Sequence, residues 1–88
     1  MCTYATVTAP MTGSAKGPNG SWFTVTDATV YFDHPVHLMA EHTLNIDLVA
    51  PAMGPSARVA VELTAESALE LVAAIQAALA SAPAELTV

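Results

Sequence analysis

TLNIDLV, residues Thr43–Val49, decides the fold. Leu44, Ile46 and Leu48 alternate with Thr43, Asn45 and Asp47, the period-two pattern of a strand with one apolar and one polar face. Downstream, ARVAVEL (Ala57–Leu63) repeats it, with Ala57, Val59, Val61 and Leu63 on one face and Arg58 and Glu62 on the other. The period then changes. Leu69, Val72, Ile75 and Leu79 recur at helical spacing, and Leu71 and Ala78 widen the stripe. Thr64 is an N-cap residue for a helix over about residues 65–82, Glu66 suits the positive end of its dipole, and Pro83 ends it. One face of this helix is expected on the sheet, and the alanine-rich flank either packs on another copy or is plain surface.

Upstream, TYATVT (Thr3–Thr8) is β-branched and alternating, and predicts a first strand. PMTGSAKGPNG (Pro10–Gly20) is dense in glycine and proline and predicts a loop. SWFTVTDATVYF (Ser21–Phe32) predicts one long strand bent near Asp27, or two short ones. APAMGPS (Ala50–Ser56) is a second loop. The expected architecture is α+β: a mostly antiparallel sheet of four to five strands with one C-terminal helix packed on a face, all in one domain over residues 1–88.

Composition narrows the function classes. Lys16 and Arg58 are the only fixed cations against eight carboxylates, for a net charge of −6. Such a chain repels phosphate backbones and offers no basic patch to anionic lipid, which argues against nucleic-acid and membrane partners. No stretch has the length and apolarity of a membrane span, and the N-terminus lacks the basic start and apolar run of a signal peptide. With Cys2 as the only cysteine, no internal disulfide forms. A reduced, cytoplasmic setting is the expectation. A core of Trp22, Phe23, Tyr31, Phe32 and the aliphatic strand positions is thin for 88 residues, which predicts a homo-oligomer or a stabilising ion.

The chemistry gathers in DHPVHLMAEHTLNID, Asp33–Asp47, which holds all three histidines and three of the eight carboxylates. If residues 32–36 and 42–49 pair with their apolar faces matched, paired residue numbers sum to an even value across a loop of three or five residues. His34 and His42 then share a face and His37 sits at the turn, with Pro35 a source of irregularity. His34, His37 and His42 form a candidate ligand set for a divalent transition metal, Zn, Fe, Cu or Ni. Asp33 or Glu41 would be the base or orient a ring. Without metal, His34 or His42 beside Asp33, Glu41 or Asp47 is a candidate general base. Cys2 is a candidate nucleophile if its strand reaches the hairpin. Lys16, in a glycine-rich loop lacking the spacing of a phosphate-binding P-loop, and Arg58 are the candidate contacts to a small anionic molecule.

The segments MCTY, GSAKGP, VYFDHPVH, EHTLNID and ARVAVELTAES are similar to those of a family of short bacterial proteins of unknown function, across nearly the whole chain. The resemblance implies a stand-alone protein and transfers no catalytic residue. Two functional readings stand. One is a histidine-centred metal-binding protein, extending to metal-dependent chemistry on a small anion. The other is a non-catalytic homo-oligomeric interaction or ligand-binding module with structural histidines.

Overall fold

The computed structural model describes residues 4–87. Four strands, β1 (Thr6–Lys16), β2 (Trp22–Asp33), β3 (Thr43–Val49) and β4 (Arg58–Leu63), form one sheet in the order β1-β2-β3-β4. Every neighbouring pair is antiparallel. Helix α1 (Ala65–Ser81) follows β4, and short 3-10 turns occupy Pro51–Met53 and Ala84–Leu86. The α+β architecture with a single C-terminal helix is therefore as the sequence predicts. Thr64 caps α1, its hydroxyl accepting from the Ser67 amide at 3.1 Å.

The expected loop Pro10–Gly20 is corrected: most of it is strand. β1 runs through Pro10 to Lys16, and only Gly17–Ser21 turns, closed by Gly17 N–H to Ser21 O at 2.8 Å and Ser21 N–H to Asn19 Oδ1 at 3.1 Å. Proline is tolerated because β1 is an edge strand bonded on one side alone. Between Pro10 and Gly13 the register shifts by a bulge opposite Asp27–Val25, so one extra residue is absorbed without ending the strand. Opposite it, β2 stays a single strand.

The register Asp33↔Thr43 through Asp27↔Val49 sums to an even number throughout, as the face-matching argument requires. The connection is nine residues, 34–42, rather than three or five. Pro35 cannot donate to a ladder, and the chain leaves the sheet at Asp33, so Val36 is not a strand residue and is 98% exposed.

The faces carry the burial in an unexpected order. Tyr31, Asn45, Asp47, Arg58 and Glu62 share one face by register, and Phe32, Leu44, Ile46, Val61 and Leu63 the other. On the polar face, Thr43 and Asn45 are buried. The apolar face is only partly covered. Helix α1 meets β3 and β4 at shallow depth: Ala68 is half-buried, and every residue from Leu69 to Ser81 is exposed. The buried apolar residues among those described are Val25, Ala28, Ala50 and Ala57. Trp22, expected in the core, is 66% exposed.

Gly54 closes the turn before β4 with φ 94° and ψ 171°, a region open in practice to glycine alone. An added Cβ would meet nothing within 4 Å at either Gly54 or Gly13, and only Gly54 has a positive φ. Gly54→Ala should therefore lower stability by about 1–3 kcal/mol, and Gly13→Ala by less than about 0.5 kcal/mol. Denaturant titration of the two variants checks the difference.

Candidate functional site

Residues 34–42 fold back across the polar face and are held there by one carboxylate on β4. Glu62 accepts from three successive backbone amides, those of Val36, His37 at 3.0 Å and Leu38 at 2.9 Å. Successive N–H groups converging on one anion make a backbone nest. The bonds from Val36 and Leu38, with that from His37 behind them, hold the Glu62 carboxyl below its ordinary value despite the opposing effect of desolvation. The strand alternation that sets Glu62 outward aims it at this loop.

Beneath the loop lies an open cleft of about 500 Å³, with Tyr31, His34, His37, Asp47, Arg58 and Glu62 in its lining. That size suits a small molecule. Tyr31 donates to Asp47 Oδ2 at 3.4 Å, and Arg58 Nε and Nη2 donate to Asp47 Oδ1 at 3.1 and 2.8 Å. Burial pushes the Tyr31 phenol above its ordinary value and the Asp47 carboxylate adds to this, while Arg58 pulls the other way. Thr43 Oγ1 donates to Asn45 Oδ1 at 2.7 Å in the buried floor. Among the described residues no buried side-chain polar atom lacks a partner.

The histidines separate into two groups. His34 and His42 stack, ring centroids 4.5 Å apart and planes 28° from parallel, and His42 stacks in turn on Phe32 at 5.6 Å. Tyr4 closes the cluster, 6.1 Å from His42 and 6.0 Å from Phe32. The expected neighbourhood of His34 and His42 is thus present, whereas the His37 backbone is drawn to Glu62. His34 Nδ1 lies 2.7 Å from the Glu41 carbonyl. A carbonyl only accepts, so Nδ1 carries the proton, and in the neutral form of such a ring the lone pair is on Nε2. That tautomer suits a metal ligand or a base. Stacked rings, however, direct their in-plane lone pairs side by side rather than at one point. Among the described residues no group of three or more His, Cys, Asp and Glu is placed to hold a metal ion.

The remaining candidates are distributed as follows. Asp33 Oδ1 accepts from the His34 amide at 2.7 Å, starting the turn out of β2. Glu41 is exposed and supplies its carbonyl to His34. Cys2 lies outside the described residues. Lys16 and Arg58 are brought together: both line a second cleft of about 480 Å³, with Gly17, Pro18, Ser56 and Ala60. Lys16 Nζ also sits 6.0 Å from the Trp22 ring centroid, within cation–π range. Arg58 and Ala60 border both clefts. Sequence reasoning missed Glu62 and Tyr31, one read as an outward strand residue and the other as core. Their parity with Asn45, Asp47 and Arg58 is the signal that places all five on one face.

Two measurements follow from this geometry. Because Glu62 has a lowered folded value, its hold on the loop is complete above its ordinary value of 4.5 and is lost as pH falls through the lowered one. Hydrogen exchange at Val36, His37 and Leu38 should accelerate on acidification, and should be fast at neutral pH in Glu62→Ala. In a Tyr4→Phe background, Asp47→Asn should move Tyr31 ionisation, followed by phenolate absorbance, back towards its ordinary value of 10.0.

No helix among the described residues is long and apolar enough to cross a membrane. No curated protein and no solved structure matches the chain. The expectation of a short family without an assigned activity is met: a model described as a family of unknown function, DUF6295, matches residues 1–88, and the chain belongs to that family.

Proposed function

We propose that this protein binds a small anionic molecule, gripping its carboxylate or phosphate between Lys16 and Arg58 and laying the rest over Ala60 toward Tyr31 and the histidine loop. One observation carries the reading: the two fixed cations of a chain with net charge −6 line the same cleft. Arg58 is oriented by Asp47 through Nε and Nη2, which leaves further guanidinium N–H groups for a ligand. Its side chain is half exposed. The surrounding negative charge repels anions at long range, so selectivity falls to short-range hydrogen bonds and binding weakens little with added salt.

A metal-dependent variant of this reading rests on His34, whose Nε2 lone pair is free to coordinate. In it, His37 and His42 would have to turn from their present positions to complete the ligand set, with Glu41 or Asp33 as base and Cys2 as nucleophile. Zn, Fe, Cu or Ni suits such imidazole ligands.

The test is titration of isotope-labelled protein with inorganic phosphate and, separately, succinate. Saturable amide shifts centred on Lys16, Gly17, Ser56 and Arg58 are expected, with affinity about tenfold lower or worse in Lys16→Ala and Arg58→Ala. No saturable shift from either probe at millimolar concentration defeats the anion site. Elemental analysis of untagged protein beside His34→Ala decides the metal variant: near-stoichiometric metal, lost on substitution, supports it, and metal in neither defeats it.

A further inference from the structure

We propose that helix α1 lies across the apolar sheet face of a second copy of this chain, which returns its own helix to form a closed two-fold pair. The first ground is area. A compact monomer of this mass exposes about 4,900 Å², and this chain exposes 6453 Å². Its radius of gyration is 14.5 Å, against about 12 Å for a compact domain of this length. The excess surface, roughly 1,500 Å², falls within the 1,000–2,500 Å² that each partner of an obligate homodimer buries.

The second ground is where that surface lies. Leu69, Val72, Ile75 and Leu79 are exposed at 70%, 49%, 51% and 58%. Helices in proteins draw most of their stability from packing an apolar face, yet α1, 17 residues long, has no buried side chain. The second apolar surface is the sheet face of Phe32, Leu44, Ile46, Leu48 and Val61, whose residues are half-buried and so only partly covered.

The third ground is fit. From Leu71 to Ser81 the helix has no charged residue, and the positions of that sheet face paired across β2, β3 and β4 have none; the one charge on the face, Lys16 opposite Trp22, lies beyond them at the β1 edge. These are the surfaces through which two copies of net charge −6 can approach without opposing carboxylates. The helix is about 25 Å long, enough to cross a four-stranded sheet roughly 19 Å wide. With each chain's helix on the other's sheet face the exchange is reciprocal, hence isologous, and closes at two copies.

The experiment uses the full chain. Wild-type protein at micromolar concentration should sediment at twice the 9.1 kDa of one chain. Ile75→Glu should raise the dissociation constant by about 100-fold or more. In a Cys2→Ser background, Ile75→Cys and Ile46→Cys chains are denatured together, refolded and oxidised. A disulfide joining one chain of each kind, several-fold above either homodisulfide, is expected whether or not Ile75→Glu folds. A wild-type monomer with intact helical circular dichroism overturns the proposal. So does a dimer that cross-links only Ile75→Cys to Ile75→Cys, which would indicate helix against helix.

Discussion

A single carboxylate governs how this small fold closes. Glu62, near the end of β4, accepts the amides of Val36, His37 and Leu38, two dozen residues earlier in the chain. Those amides lie in a segment that has left the sheet and has no ladder to satisfy it. The nest binds an anion because the backbone there presents three donors at once, and the chain supplies the anion from its own last strand. With the loop pinned, Thr43 and Asn45 are buried beneath it and a cleft opens toward Tyr31, Asp47 and Arg58. Without that contact the polar face of the sheet would be an ordinary wet surface.

The result inverts the usual economy of a one-sided sheet. An antiparallel sheet commonly packs its apolar face and leaves its polar face to water. Here the chain covers part of the polar face with its own loop, the apolar face is only half covered, and the helix stays largely open. Internal hydrogen bonds compensate the burial on the polar side, down to the Thr43–Asn45 pair. Among the described residues, none buries the helix from Leu69 to Ser81. The high apolar content, 53% of residues, thus reflects surface as much as core.

Local patterns were legible where one physical rule dominates. Alternation in TLNIDLV and ARVAVEL, the Thr64 cap and the leucine spacing of the helix each depend on few neighbours, and strands, cap and helix follow them. The parity of the β2–β3 register was legible too, because a slip by one residue would exchange the faces. Pro10–Gly20 misled, since proline and glycine signal turns on average while an edge position cancels the penalty. The site was half visible. His34, His42, Lys16 and Arg58 stand out by rarity, whereas Glu62 is a plain outward glutamate until the path of the loop is known. Trp22 shows the limit of composition: a large aromatic ring belongs in a core only if the chain builds one.

The interruption in β1 bears on a hazard common to chains with exposed apolar strands, open-ended growth into fibres. Pro10 removes a donor from that edge, and the shift before Gly13 breaks the even spacing that an arriving strand would need. An incoming chain finds no continuous ladder there. The opposite edge, β4, is six residues long, which gives little purchase for templating. A protein that leaves so much hydrocarbon uncovered has therefore blunted the outer margin of its sheet against open-ended edge-to-edge growth.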